Sequence, residues 1–146
     1  MKKLLFTLFI TSWTGIAHAA CEINVAVADN LQFDQTVLEI DRGCETVKLT
    51  LTHRGKLAKN IMGHNWVLAN AADLNGIAQD GMKAGLDNNY VKPGDPRVLA
   101  YTNVIGGGEQ TTTEFTLDTL TQTEYTYFCS FPGHWAVMKG TLKIRG

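Results

Sequence analysis

The segment from Cys129 to Met138, which reads CSFPGHWAVM, carries a thiol, an imidazole and a thioether on one short stretch of chain. His134 follows Cys129 by five residues, and Met138 follows His134 by four. Soft sulfur ligands beside an imidazole suit copper in both of its common oxidation states. The chain must therefore fold so that this segment becomes a loop whose three side chains converge on one point.

A trigonal copper site of the blue type needs two histidines, one cysteine and a weak axial methionine. We predict that the second histidine is His64, although an isolated histidine after a glycine is as often a turn or core residue. Met138 taken alone is equally compatible with a core position. His53 has no potential ligand near it in the sequence, so we interpret it as a buried structural histidine.

The N-terminus has the organisation of a secretory signal peptide. Two lysines precede a mostly apolar run from Leu4 to Ile16, and Ala17-His18-Ala19 supplies a small-x-small cleavage site. The run is too short to span a bilayer comfortably, so a retained membrane anchor is the less favoured alternative. We expect residues 1–19 to be removed and residues 20–146 to form a single periplasmic domain without stable membrane insertion.

Three cysteines in an exported protein need an explanation, because an unpaired thiol in an oxidising compartment binds a metal, pairs between chains or becomes oxidised. Cys21 and Cys44 lie early in the chain, and we predict a disulfide between them. That pairing leaves Cys129 free for the metal. The alternative is a lipid anchor on Cys21, but His18 stands where a lipoprotein signal usually has leucine, and acylation would leave Cys44 unpaired.

The charge balance excludes one class of partner. Removal of the two signal-peptide lysines from the 13 basic residues leaves 11 against 14 acidic residues, a formal charge of −3. The sequence has no basic stripe, RNA-binding aromatic motif or polybasic tail. Nucleic acid is therefore not expected as a partner.

Apolar and polar residues alternate in many short segments, with Gly, Asn, Asp or Pro between most of them. Such segments are typical of half-buried strands, and their close spacing favours an antiparallel β-sandwich. The stretch Ala71–Leu86 breaks this pattern and favours a short helical insertion, with Asn70 as a possible cap and Gly85 near its end. The predicted strands are Ile23–Val27, Gln32–Ile40, Val47–Leu51, Asn65–Ala69, Arg97–Val104, Thr113–Leu117, Glu124–Ser130 and Leu142–Ile144.

Together with MGHNWVLA from Met62 to Ala69, the segment CSFPGHWAVM strongly resembles the azurins, bacterial blue-copper proteins of the cupredoxin family. Plastocyanins, pseudoazurins and amicyanins place the cysteine and histidine closer together. The resemblance implies an all-β fold, a Greek-key antiparallel β-sandwich with one short helical insertion. It runs the length of the mature chain and includes the early cysteines, Asp80-Gly81-Met82, Val91-Lys92-Pro93, Ile105–Glu109 and Met138–Leu142.

The resemblance implies one type 1 copper and a role for each residue around it. Asn65 is expected to tie the two ligand segments together, and the backbone N–H of Phe131 is expected to donate to the Cys129 sulfur. The Gly63 carbonyl contact is implied by the resemblance alone. The expected copper contacts are three strong equatorial ligands, a long axial sulfur and a weak carbonyl: His64, Cys129, His134, Met138 and Gly63.

Ligand count then predicts the function. If protein groups fill the coordination sphere, no position remains for a substrate, so the site exchanges electrons and the protein is not an enzyme. A periplasmic copper carrier or buffer is the alternative, but the sequence has no Met-rich run. A copper enzyme would need a second copper site, and the mature chain has only His53, His64 and His134.

The resemblance also places one edge of His134 at the surface, within an apolar docking patch. Such a patch suits brief contact between a monomer and a redox protein, for which a c-type cytochrome is expected. Azurins commonly have a small residue after this histidine, so Trp135 is a departure that either widens the patch or covers the imidazole. The expected patch residues are Met62, Met82, Phe131, Pro132 and Trp135, with Leu31 as a further candidate.

Overall fold

A computed structural model describes residues 21–146, so the predicted signal peptide lies outside the described residues. Alternating burial accompanies the alternating sequence: in the third strand Val47, Leu49 and Leu51 are fully buried, while the residues between them are partly exposed. The strands are β1 Cys21–Val27, β2 Val37–Asp41, β3 Thr46–His53, β4 Val67–Ala69, β5 Val98–Tyr101, β6 Gln110–Thr116, β7 Glu124–Phe128 and β8 Lys139–Arg145.

The strands form two sheets packed face to face, with orders β1-β3-β6 and β2-β8-β7-β4-β5. The predicted sandwich is confirmed. Most strand pairs are antiparallel, but β1 pairs with β3 and β2 pairs with β8 in parallel. A parallel pair needs a crossover connection. The crossover from β1 to β3 passes through β2, which belongs to the other sheet, so this connection links the two sheets covalently.

An aromatic stack joins the two sheets. The Trp66 ring lies 5.9 Å from the Phe115 ring of β6 and 5.8 Å from the Tyr127 ring of β7, measured between centroids. Trp66 and Tyr127 are fully buried. Phe115 and Tyr127 belong to different sheets and the Trp66 ring packs against both, so this contact fixes the separation of the sheets. Trp66 lies two residues after His64, and Tyr127 lies two residues before Cys129.

Two helices connect strands at the edge of the sandwich. The predicted insertion is confirmed as a 3₁₀ turn, helix α2 (Leu74–Ala84) and a second 3₁₀ turn; the short helix α1 (Lys59–Met62) is not expected from the sequence. Asn70 makes no capping hydrogen bond to the backbone. Its side chain contacts Asp73 instead. Within residues 21–146, neither helix has the length and apolar character to cross a membrane.

Helix α2 packs a narrow apolar face on the larger sheet. Ile77 and Ala78 are fully buried against Val67 of β4 and Phe128 of β7. Gly85 ends the helix at a φ of 78°, a left-handed conformation that glycine adopts without strain. The insertion therefore covers the strand that ends at Phe128, immediately before Cys129.

The predicted disulfide between Cys21 and Cys44 is present, with 5.8 Å between the two Cα atoms. It joins the start of β1 to the turn before β3. The predicted ligand His64 bonds Ala28 at the other end of β1, whose seven residues span about 23 Å at the usual strand rise. The disulfide is therefore a constraint on the fold that does not contact the predicted site.

Replacing both cysteines, Cys21→Ala with Cys44→Ala, should lower the free energy of unfolding by about 3 kcal/mol. A link across 23 residues restricts the unfolded chain, and that restriction is lost in the variant. Guanidinium unfolding of the metal-free protein measures the difference. The copper spectrum of the variant serves as the control and should match that of the parent, and equal stability of the two proteins would contradict the prediction.

Candidate metal centre

Three potential ligand atoms meet at one end of the sandwich. The Cys129 Sγ atom lies 3.7 Å from the His64 Nδ1 atom and 3.6 Å from the His134 Nδ1 atom. All three atoms lie within 4.8 Å of one another. His64 precedes β4, Cys129 directly follows β7, and His134 lies in the loop before β8. The structure thus brings together the three residues that the sequence predicted as equatorial ligands.

These separations fit a trigonal metal ion. Nitrogen and sulfur ligands bind at about 2.0–2.3 Å, and ligands set 120° apart at that distance lie about 3.6 Å from each other. Both sulfur–nitrogen distances match this value. One thiolate and two imidazoles are also the donor set that suits copper in blue sites.

The fold fixes the orientation and the protonation of His64. Its backbone exchanges two hydrogen bonds with Ile105, of 3.0 and 2.9 Å, and its ring Nε2 atom donates to the Ala28 carbonyl at 2.8 Å. With the proton on Nε2, the Nδ1 lone pair is directed toward Cys129. Burial lowers the pKa of His64 to about 4, so the ring is neutral and ready to bind a metal at pH 7.

The loop from Cys129 to Met138 is closed by its own backbone. The His134 N–H donates to the Phe131 carbonyl at 3.0 Å, and the Met138 N–H donates to the His134 carbonyl at 2.8 Å. The Cys129 N–H then donates to the Met138 carbonyl at 3.1 Å. The last of these bonds places Met138, at the end of the loop, beside Cys129 at its beginning. Met138 is 1% exposed and packs in the same buried cluster as Cys129, on the loop where an axial ligand is expected.

Gly63 lies close to the sulfur because it has no side chain. Its carbonyl oxygen is 4.0 Å from the Cys129 Sγ atom. A Cβ at this position would collide with the Lys59 carbonyl oxygen and would lie 2.7 Å from Val104 Cγ1. A larger residue would force the chain away from the metal centre, so the close approach requires glycine.

Asn65 connects the ligand segments. Its Oδ1 atom accepts a hydrogen bond from the Ser130 N–H, and its Nδ2 atom donates to the Ser130 hydroxyl and to the Asn89 carbonyl, all at 2.8 Å. The sequence analysis did not predict Ser130 and Asn89 as residues of the site. Asn89 has a φ of 55°, and an Asn–Asn pair after a helix is the only signal in the sequence for such a turn.

The Cys129 thiol lies in an apolar environment that opposes its ionisation. Burial raises the pKa of Cys129 to about 12, while hydrogen bonds from the backbone N–H groups of Asn65 and Phe131 favour the thiolate and lower it. At pH 7 the metal-free protein therefore carries a neutral thiol, and metal binding must displace its proton. When a metal binds, its charge and these two N–H groups together stabilise the thiolate form of Cys129.

His53 lies near the site without facing it as a ligand. It is 1% exposed, its Nε2 atom donates to the Met62 carbonyl at 3.0 Å, and its Nδ1 atom accepts from the Gly55 N–H at 3.0 Å. Both ring nitrogens are thus used by the backbone. The interpretation of His53 as a buried structural histidine agrees with this arrangement.

The surface near His134 is apolar and contains residues that the sequence analysis missed. Phe131 packs 4.6 Å from the His134 ring, measured between centroids. Trp135 is half-buried and packs on the apolar cluster under α2, so its indole extends the loop contact with the helix. Ile61 and Val137 were not predicted, although each lies near a ligand in the sequence. They are the most exposed large apolar side chains of the described chain, at 62% and 63%.

A buried cysteine and two histidines at trigonal spacing, on loops at one end of a β-sandwich, define a blue-copper protein with one type 1 site. Residues 19–145 match the family described as copper binding proteins, plastocyanin/azurin family. The chain belongs to this family. With the His–Cys–His site, that membership indicates an electron-transfer protein.

Characterised relatives agree with this assignment. Azurin-1 of Alcaligenes xylosoxydans xylosoxydans is 53% identical over 127 residues, which cover 86% of this chain and 98% of that protein. The azurin of Pseudomonas fluorescens biotype A is 50% identical over 87% of this chain and 100% of its own length. Among solved structures, an azurin (Az-iso2) from the methylotroph Methylomonas sp. strain J superposes with a TM-score of 0.83 at 42% identity, covering 88% of this chain and 100% of that one.

The metal-free protein is expected to lose stability as the pH falls from 6.5 toward 4. His64 titrates near 6.5 when the chain is unfolded and at about 4 when it is folded. Below pH 6.5 the unfolded state therefore binds a proton that the folded state does not, which lowers the free energy of unfolding by about 3 kcal/mol at most. Burial also lowers the pKa of His134, and that effect has the same sign.

Urea unfolding of the metal-free protein between pH 7.5 and pH 4.5 measures this loss. Most carboxylates remain ionised over that range, so they contribute little to the slope. A His64→Gln variant is the matched control and should show a shallower dependence on pH. Equal slopes for the two proteins would rule out His64 as the source.

Proposed function

We propose that this protein is a periplasmic electron carrier that cycles one copper ion between Cu(I) and Cu(II). The observation that carries the proposal is a buried His–Cys–His set in which Cys129 Sγ lies at metal-binding separations from both Nδ1 atoms. When bound, copper supplies a one-electron redox couple. The proposed equatorial ligands, axial ligand and weak carbonyl contact are His64, Cys129, His134, Met138 and Gly63.

The protein contributes rigidity to the reaction. Hydrogen bonds to Ala28 and Ile105 hold His64, and the backbone bonds of the C-terminal loop hold Cys129 and His134. Because these contacts do not involve the metal, the ligands keep their positions when the charge of the site changes. Little rearrangement is then needed for each electron transfer.

The same burial argues against the two other functions. An enzyme needs a metal position open to substrate, but His64 and Cys129 have no exposed surface. A copper carrier needs ligands that a receiving protein can reach, and the same two side chains are closed to it. We therefore propose that the protein is not an enzyme and does not deliver copper.

We propose His134 as the route by which electrons enter and leave. Of the three histidine and cysteine ligands it alone has exposed surface, 6% of its total. Apolar side chains near it suit brief contact with another redox protein, for which we propose a c-type cytochrome docking on a monomer. The proposed docking patch contains Met62, Met82, Phe131, Pro132 and Trp135, and we propose to add Ile61 and Val137 because they are the most exposed large apolar side chains of the described residues.

Export is supported by the N-terminal sequence and by the cysteines. Residues 1–19 have the pattern of a signal peptide, and residues 20–146 would form the mature single domain. The Cys21–Cys44 disulfide suits an oxidising compartment. An intact mass that begins at Ala20 and carries no lipid would support this assignment.

Addition of Cu(II) to the metal-free protein should produce an intense blue thiolate-to-copper absorption band. The Cys129→Ser variant should lose this band and remain folded, because the sulfur supplies the electronic transition while the two sheets supply the core. Visible absorption and far-ultraviolet circular dichroism measure the two properties. A pale tetragonal copper spectrum from the parent protein would contradict the proposed function.

The Ile61→Asn variant should exchange electrons with a c-type cytochrome about fivefold more slowly, because a polar side chain in the contact weakens docking by about 1 kcal/mol. Stopped-flow absorption measures the second-order rate constant. Val37→Asn is the matched control, since Val37 is an exposed apolar residue on edge strand β2. Equal slowing by both variants would contradict a patch centred on His134.

A further inference from the structure

The segment that leads from β3 into the first residue of α1 concentrates positive charge. Arg54, Lys56 and Lys59 supply three of the 11 basic residues of the mature chain within six positions, and residues 54–59 contain no acidic side chain. All three are exposed. We refer to residues 54–59 as the basic turn. Its charge contrasts with the formal charge of −3 for the mature chain.

Within residues 21–146, no ion pair involves the cations of the basic turn. The lysine and arginine ion pairs found within residues 21–146 involve other side chains, on α2, on β8 and before β5: Lys83, Arg97, Lys143 and Arg145. A charged side chain that is exposed and outside such pairs is available to a partner.

The basic turn is fastened to the metal centre. The backbone N–H groups of Lys56 and Leu57 donate to the Asp29 carboxylate at 2.8 and 3.1 Å. Asp29 directly follows Ala28, whose carbonyl accepts the His64 ring proton. These bonds hold the basic turn beside the copper ligands. Leu57 is 39% exposed between the lysines, so charge and apolar surface are adjacent there.

A second exposed cation lies next to Met138, the proposed axial ligand. Lys139 is exposed and directly follows Met138. It lines a groove of about 290 Å³ together with Leu31, Val137 and Met138. Two lysines thus lie beside segments that carry the proposed ligands, Lys56 in the basic turn and Lys139 at the start of β8.

Carboxylates near these cations differ in how much they compensate the charge. Asp87 and Glu109 line the same cleft as Lys59, and Asp34 lines the same cavity as Arg54. The Asp29 carboxylate accepts the Lys56 and Leu57 N–H groups, which hold its pKa below its usual range, so it stays ionised and offsets part of the positive charge of the basic turn. The charge of Lys56 is therefore partly offset by Asp29, whereas the described residues that line the two cavities beside Lys139 include no carboxylate.

We propose that the electron-exchange surface recognises a redox protein whose reactive centre is surrounded by carboxylates, with Lys56 and Lys139 as the contacts that select it. The inference rests on the proposed function. Net negative charge repels an acidic partner over most of the surface, while the two lysines attract it to the side from which electrons leave. Each encounter passes one electron from the reduced protein to the oxidised haem iron, so Fe(III) becomes Fe(II) as Cu(I) becomes Cu(II), and no bond is made or broken.

Two inorganic oxidants of opposite charge test the potential at the surface. The reduced protein is mixed with hexacyanoferrate(III) or with tris(phenanthroline)cobalt(III), and stopped-flow absorption follows the return of the blue colour. At about 0.01 M ionic strength, Lys56→Glu and Lys139→Glu should each slow the anionic oxidant about tenfold and accelerate the cationic one. At about 1 M, where screening acts within about 3 Å, each effect should fall below about twofold.

The matched control is Lys48→Glu, which changes the net charge equally. Lys48 lies on β3 five residues before His53, about 17 Å along the strand, and pairs across the sheet with Glu114. It should change either rate by less than about twofold. Effects of Lys48→Glu as large as those of Lys56→Glu would show that net charge acts, and would overturn the proposal.

Binding supplies a measurement that does not depend on electron transfer. A c-type cytochrome whose lysines have been succinylated presents carboxylates around its haem edge, and the unmodified cytochrome is its control. Calorimetric titration of the metal-free protein at low ionic strength should detect binding to the succinylated form only. Both charge-reversed variants, Lys56→Glu and Lys139→Glu, should abolish it.

Three outcomes would contradict the inference: equal binding of both cytochromes, rates insensitive to both variants, or stronger binding to anionic lipid vesicles that depends on the same lysines. The last would indicate a membrane surface as the occupant. These outcomes leave the blue band and one-electron exchange intact, whereas failure of the proposed function would remove them in the parent protein.

Discussion

The hydrogen bonds of Asn65 hold together two parts of the chain that are 65 residues apart. One side chain bonds both the backbone and the hydroxyl of Ser130, and it also bonds the Asn89 carbonyl. Since Asn65 and Ser130 are fully buried, breaking the bonds between them would leave polar atoms away from water. Both ligand loops are therefore fixed relative to each other before a metal arrives, and the distances around Cys129 follow from this constraint.

Packing in the core of the sandwich also fixes the positions of the two ligand loops. Trp66 follows Asn65 and packs between rings from both sheets, while Tyr127 lies two residues before Cys129. A shift of either ligand loop would disturb the packing of the central aromatic side chains. Helix α2 adds a second layer, because Trp135 of the ligand loop and Phe128 of β7 pack in the same cluster beneath it.

Burial has opposite effects on the two kinds of ligand. It lowers the pKa of the histidines, which keeps their nitrogen lone pairs available to a metal, and it raises the pKa of Cys129, which opposes formation of the thiolate. Two backbone N–H groups reduce that second cost without removing it. An apolar site of this kind needs the charge of the metal to stabilise the thiolate. The proposed selection of a redox partner would then depend on surface side chains such as Lys56 and Lys139.

The sequence predicted the ligand residues, the disulfide, the sandwich and the helical insertion, because each depends on residue type and spacing within short segments. Soft and imidazole donors at positions 129, 134 and 138 indicate copper wherever the loop lies, and alternation indicates strands whichever neighbours they have. Only the tertiary structure decided that β1 and β3 run parallel, that Ser130 and Asn89 complete the Asn65 contacts, and that Trp135 packs toward α2. These features depend on contacts between distant segments, and a strand of alternating residues, an exposed lysine or a lone tryptophan carries no local signal of which partner it will meet.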